Sequence, residues 1–420
     1  MIIARSFSNI FKSFSKSKQP IYLLSLMFLF WAIYEGIISY MTPLIISSRG
    51  ISEALMGIII GSSSVAGAVF DFVACRIFKN TYYKRIFMIM FSICLVYPLI
   101  LSRANTFVLY LLAMSIWGVY YDLKNIGSLD FVGRHTAKDE HVSSFGFIQV
   151  AQSVGFLIAP ILVGFLVADG LNYRPLVMAW IFLAIAVFFF TLLYFIRDKK
   201  APVDKSGSYG SRNSDWRGLL LLWGDLGKIL FPVLILTLML NVIDSFFWTL
   251  GPIFAESLSG VGRFAGLFMT AYSLPSLFVG WLAGSLARRH GKKRTAFVSL
   301  LLGSLCLSLI AFIPSAFLMI VSVFAASFFI SMAWPSIQGA YADYISETPK
   351  YEKEITGVED FFTNLGYVLG PILAGLIASR MGNASAFSIL GFSGIVIASL
   401  LLVFTPRRIN VSQELAKMQD

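Results

Sequence analysis

The chain has 420 residues, of which 57% are hydrophobic and only 13% are charged. A soluble protein of this length carries roughly 25% charge. The composition therefore excludes a soluble enzyme, and although the formal net charge is +11, its placement along the chain speaks for membrane topology rather than for a nucleic-acid partner.

Residues 1–20 form a basic segment in which Phe7, Ile10, Phe11 and Phe14 recur at helical spacing beside Lys12, Lys16 and Lys18. This pattern fits an interfacial amphipathic helix and equally a basic tail. No short apolar region with a cleavage site follows, so it is not read as a signal peptide. Twelve apolar spans come next, each long enough for a hydrocarbon core of roughly 30 Å. They are predicted at 21–46, 53–78, 85–102, 106–130, 143–168, 175–196, 229–254, 262–287, 295–313, 315–343, 356–379 and 384–405.

The polar stretch after the sixth span reads as a flexible linker, followed near Asp215–Trp223 by a short surface helix whose tryptophans suit the headgroup region. The expected organisation is a cytoplasmic segment (1–20), a six-helix bundle (21–196), a linker with an interfacial helix (197–228), a second six-helix bundle (229–405) and a cytoplasmic tail (406–420). With the N-terminus inside, nearly all of the 33 Lys and Arg residues fall on the inner side. The exceptions are Arg49, Arg103, Arg174, Arg263 and Arg380 outside and Lys124 within a span. Such asymmetry predicts a multi-pass protein of the cell membrane with both termini in the cytoplasm.

The chain repeats itself. Tyr34-Glu35-Gly36 through Pro43 aligns with Ile243-Asp244-Ser245 through Pro252, and Val154-Gly155 through Pro160 and Gly164 aligns with Leu365-Gly366 through Pro371 and Gly375. Small residues in the second pair allow neighbouring helices to approach closely, while each proline frees a carbonyl that needs another partner. Two six-span halves related about an axis along the membrane normal suggest a transporter built from parallel repeats.

On these residues the chain resembles the major facilitator superfamily over essentially its whole length, most nearly its twelve-span drug/proton antiporter branch. Gly284 to Arg294 looks like that family's glycine-and-basic loop. Arg288 stands where the family usually has an acid, and in the matching first-half loop, Cys75 to Arg85, only the final basic pair is kept. The proline-glycine segments of spans five and eleven resemble those of proton-coupled antiporters. The resemblance implies an all-α integral membrane fold of two pseudo-symmetric six-helix bundles, with spans 1, 4, 7 and 10 lining a central cavity and 2, 5, 8 and 11 flanking it.

The ionisable residues inside the spans are the leading functional candidates, because a charge at mid-bilayer costs on the order of 2.5–3.5 kcal/mol on insertion scales. Glu35 and Asp244, at equivalent repeat positions, are expected to couple protons, since desolvation favours the neutral carboxyl; hydrogen-bonded packing is the alternative. Asp71 is a third proton candidate or an inner-gate partner of Lys79 or Arg76. Helical stripes supply the substrate candidates: Trp31 and Ser39 beside Glu35, Asn241 and Trp248 beside Asp244, Trp117, Tyr121 and Asn125 in span four, and Trp334 and Gln338 in span ten. Asp122 and Lys124 lie about 200° apart around a helix, so only one is expected to face the cavity; Lys124 is the better placed, opposite Glu35. Gln149 and Gln152, their repeat counterpart Asp360, and Asn364 complete the set.

Cys75, Cys94 and Cys306 are scattered in apolar spans, and His135, His141 and His290 lie at span edges, so no disulfide framework or metal site is expected. No phosphate-binding GxxxxGK[ST] loop occurs, and no cofactor is expected. The reading is a non-enzymatic secondary transporter, a monomer whose partners are a small molecule, protons and membrane lipids. Four mid-span acids against one lysine favour proton-coupled export of amphipathic or cationic compounds. Proton-linked uptake of a sugar-like metabolite and lipid or glycolipid flipping are the alternatives.

Overall fold

The apolar runs form long helices because every backbone polar group must be satisfied within its own segment where water is absent. The computed structural model describes residues 19–77, 82–136, 141–168, 170–196, 216–258, 262–406 and 411. In chain order the helices are α1 (Gln19–Ser48), α2 (Glu53–Ile77), α3 (Tyr83–Arg103), α4 (Phe107–His135), α5 (His141–Val167), α6 (Arg174–Tyr194), α7 (Trp216–Ile229), α8 (Phe231–Ser257), α9 (Leu267–Ser273), α10 (Val279–His290), α11 (Lys292–Ser308), α12 (Ala316–Glu347), α13 (Glu352–Met381) and α14 (Asn383–Phe404). Among the described residues there is no strand.

Ten of these helices are long and apolar enough to cross a membrane. An eleventh passage is broken: the segment beginning with α9 and the end of α10 are bent by 59°. The sequence predicts one continuous span over 262–287 here, and the structure breaks it. The break has a local cause in Pro275, which sits in a 3-10 turn between the two pieces and has no N–H for the α-helical ladder. Ser327 of α12 donates to the Tyr272 carbonyl there. The one remaining predicted span, 106–130, corresponds to α4, which has 29 residues but is not among the helices apolar enough to cross, since it carries the polar group of Tyr121, Asp122, Lys124 and Asn125. At the place of the expected surface helix stands α7, longer than expected. Its Trp223 ring lies against Gly357 of α13. The expected amphipathic N-terminal helix, the linker residues before Trp216 and most of the tail lie outside the described residues.

The two halves pack alike. α1 lies along α5 as α8 lies along α13, and α2 along α4 as α10 along α12. Glycine makes the first pair of contacts possible at matched places. Gly155 sits against Ala32 and the Leu29 carbonyl of α1, and Gly366 against Asn241 and the Leu238 carbonyl of α8. Without a hydrophobic drive between helices in lipid, such close backbone approach supplies the packing attraction. Exposed leucine, valine and phenylalanine side chains, such as Leu112, Phe188, Phe317 and Val403, cover the outer surface, as an acyl-chain solvent requires.

The halves meet at the end of the bundle opposite to the chain termini. There the Pro371 carbonyl of α13 closes on Gly57 of α2, and the Pro160 carbonyl of α5 closes on Gly266, just before α9. Tyr40 of α1 reaches across to Glu256 of α8, donating to its carboxylate at 2.8 Å. On the terminal side Asp71, Tyr121, Asn125, Gln149, Gln338 and Asp360, from both halves, are all exposed. The protein is closed at the face opposite the termini, and its mid-span polar side chains reach the surface on the terminal side.

Candidate functional site

Glu35 is 1% exposed and is held by α4. Trp117 and Tyr120, one turn apart and so on one face of the helix, both donate to it. The Trp117 indole N–H bonds Oε1, and the Tyr120 hydroxyl bonds Oε2 at 2.7 Å. Both carboxylate oxygens are thus satisfied by neutral aromatic donors, which a buried carboxylate needs. Trp31, one turn before Glu35 on α1, is fully buried, and Ser39, one turn after it, is nearly so.

Asp244 has an equivalent cage with different parentage. The Tyr272 hydroxyl of α9 donates to Oδ1 at 2.7 Å, and the Tyr367 hydroxyl of α13 donates to Oδ2 at 2.7 Å. Tyr272 is set by stacking on Phe247, with ring centroids 4.0 Å apart, and it is the last residue but one of α9 before the break. Tyr121 lies between the cages, close enough to both acids to feel either charge.

Lys124 turns towards the aromatic stripe. Its Nζ stands 4.9 Å from the Tyr121 ring centre and 5.6 Å from that of Trp31, at cation–π range. It forms no ion pair with Glu35, whose oxygens are already engaged. Asp122 turns the other way, its Oδ2 lying against Gly67 of α2. Asp71, one turn further along α2, is near enough to act on both Asp122 and Asp360 of α13, so three acids gather on the terminal side of the hollow. The side chains of Arg76 and Lys79, considered as gate partners of Asp71, lie outside the described residues.

The other candidates divide between hollow and packing. Lys124, Asn125, Gln149 and Gln152 line one cavity between α4 and α5. Gln338 donates to Glu359 of α13 at 2.7 Å, and Trp334 stands one turn before it. Asn364 donates to the Asp360 carbonyl at 3.0 Å. Asn241 does not face the hollow: its amide donates to the Thr237 carbonyl at 2.8 Å and its stem packs on Gly366. Trp248 makes an edge contact with Phe156 of α5 at 5.7 Å. A larger apolar groove of about 720 Å³ runs between α2, α3 and α4 past Met88, Ile93, Leu112 and Ile116, but it holds none of the candidates. Among the described residues no His, Cys, Asp and Glu cluster is placed to hold a metal.

Sequence reasoning missed Tyr120, Tyr272, Tyr367 and Glu359. Tyr120 was legible in principle, one turn from Trp117. Tyr272 and Tyr367 stand on helices whose rotation the sequence does not fix.

Two bundles packed alike, with a matched acid in each, define an architecture that comparison with known proteins identifies. The sequence model of the Major Facilitator Superfamily matches residues 23–262 and 233–418. The chain belongs to the major facilitator superfamily. It is a multi-pass membrane transporter and not an enzyme.

Among individual relatives, an uncharacterized MFS-type transporter, YuxJ of Bacillus subtilis, is 26% identical over 291 residues, 67% of this chain and 70% of that protein. Quinolone resistance protein NorA of Staphylococcus aureus is 26% identical over 164 residues, 38% of this chain and 41% of NorA. The chain thus matches about two-fifths of NorA's length. Among solved structures, the nucleoside transporter NupG superposes with a TM-score of 0.72 at 19% identity, covering 91% of this chain and 98% of NupG. A bacterial homolog of the human lysosomal transporter Spinster, inward-facing and unoccupied, superposes with a TM-score of 0.65 at 14% identity, covering 96% and 98%. Both structural likenesses establish the fold alone.

Proposed function

We propose that the protein is a proton-coupled exporter of small amphipathic compounds, working by alternating access as a monomer in the cell membrane. The observation that carries this reading is the pair of matched mid-span carboxylates, Glu35 and Asp244, each held by two aromatic donors. A carboxylate in such a cage exchanges a proton when a donor moves, because each charge-assisted bond is worth roughly 1.5–3 kcal/mol to the charged form. Rocking of the halves moves the donors. The terminal face is cytoplasmic in this reading, since nearly all the basic residues lie on that side and the inner leaflet retains them.

Export is supported by the partial likeness to NorA, and amphipathic cargo by the aromatic faces of Tyr121 and Trp334 beside the amides of Asn125 and Gln338. The acids on the terminal side, Asp71, Glu359 and Asp360, favour entry of molecules that also carry positive charge. The test is proton release or uptake on cargo addition, followed with a pH-sensitive dye in weakly buffered proteoliposomes. Proton movement that accompanies cargo and is lost in Glu35→Gln supports coupling. Cargo flux with no accompanying proton movement removes it.

A further inference from the structure

Between α4 and α5, on the terminal side of Glu35, lies a cavity of about 480 Å³ lined by Lys124 and Asn125 from α4 and by Gln149 and Gln152 from α5, with Phe145 and Ile148 on the same face of α5. One of these side chains, Gln152, is a buried donor whose need the protein does not meet, and another, Lys124, is a nearly buried cation without an ion pair. Lys124 is only 9% exposed, yet among the described residues no carboxylate lies within ion-pairing distance of it. Glu35 and Asp122 are the charged groups near enough to act on it. The first gives both oxygens to Trp117 and Tyr120, and the second turns to α2. Gln152 is 5% exposed and its amide nitrogen has no hydrogen-bond partner.

An ammonium has three donors and no acceptor, and ring faces satisfy its charge only in part. A buried cation and a buried amide N–H₂ left side by side ask for an acceptor, and the strongest acceptor complement is an anion. Leu129, Phe145 and Ile148 line the same cavity with apolar surface, so the fitting ligand is an anion carried on a flat or apolar body.

We propose that this cavity is a subsite for the carboxylate of an amphipathic cargo molecule, with Lys124 as its counter-charge and Gln152 as a neutral donor beside it. That this ligand is cargo rests on the transport reading above; the binding chemistry does not. With acids at the mouth and a single cation in this side cavity, a molecule bearing both an amine and a carboxylate is oriented as it binds, its carboxylate towards α4 and α5.

The test is equilibrium binding to the purified full-length protein in detergent, with no gradient, using 2-naphthoate and its uncharged counterpart 2-naphthamide and following tryptophan fluorescence. Wild type is expected to bind the naphthoate about tenfold more tightly or better, and Lys124→Gln to lower its affinity to that of the amide, the size of effect expected for one desolvated charge contact. Equal affinity of wild type for the two probes overturns the proposal, as does a preference that survives in Lys124→Gln. Should that variant fail to fold, the wild-type comparison still decides. Gln152→Leu then provides the second arm: weakening of naphthoate by about threefold or more supports the subsite, and unchanged affinity overturns it. A protein that prefers naphthoate yet moves no protons with cargo keeps the subsite and loses the coupling, so the two readings fail separately.

Discussion

Glu35 and Asp244 occupy equivalent positions in the repeat, yet their cages are built differently. Both donors to Glu35 come from α4, which packs within its own half, and the same helix carries Lys124 one turn beyond Tyr120. The donors to Asp244 come from α9 and α13, the two helices of the second half that close on α5 and α2 at the sealed face. Under the proposed cycle this divides the work: the Glu35 proton reports to the cargo hollow, and the Asp244 proton reports to the closure between halves. Duplication supplied two acids, and divergence of their neighbours gave them different listeners.

The comparison can be broken first at the sealed face. A Cβ at Gly266 would run into the Pro160 carbonyl, which cannot yield without moving α5. Gly266→Val is expected to prevent closure of that face and cut transport by about a hundredfold, a loss of some 3 kcal/mol from the closed state. Labelling of single cysteines placed at the two faces checks it: the opposite face should gain reactivity and the terminal face lose it. Normal labelling with normal flux would show that the close approach has no part in gating.

Tyr272→Phe and Tyr120→Phe sharpen the division itself. Each removes one bond to a carboxylate, worth roughly 1.5–3 kcal/mol. Losing a donor weakens the charged form, so the acid limb of the transport–pH profile should move to higher pH in both variants. The Tyr272 variant alone should also change the balance of open faces in the cysteine assay, and the Tyr120 variant alone should change cargo affinity. Matching behaviour of the two would erase the proposed difference between the cages.

The smallest expected effect belongs to Tyr40→Phe. It removes a cross-half hydrogen bond to Glu256, which is half-buried, so water competes for it and it is worth less than a caged bond, about 0.5–1.5 kcal/mol. A shift of a few-fold towards opening of the sealed face is expected by the same labelling. No shift would mean that the backbone contacts alone hold that face.

The fold was legible because its signals are long and redundant. Apolar runs set the helices, and the displaced repeat of Glu35 with Asp244 and of Pro160 with Pro371 set the two bundles. The break after Ser273 was less so, since Pro275 sits in a run as apolar as its neighbours and prolines inside other helices, such as Pro335 of α12, leave them continuous. Within the site, the sequence could place Lys124, Trp31 and Tyr121 on shared stripes because i, i+3 and i+4 spacing is fixed by the helix. It could not show that Trp117 and Tyr120 would take both Glu35 oxygens, or that Asn241 would turn to Thr237. The first depends on rotation and depth of one helix against another, which packing decides, and the second on a side-chain rotamer within α8 that competes with any outside partner.

The central claim is that proton movement through Glu35 and Asp244 drives cargo, and gradient-driven flux tests it most directly. Wild type, Glu35→Gln, Asp244→Asn and the double variant would be reconstituted in proteoliposomes under an imposed pH gradient, with cargo accumulation and gradient-free exchange measured together. The account predicts that accumulation in each single variant falls by about tenfold or more while exchange without a gradient persists. Accumulation at the wild-type level in the double variant would contradict it.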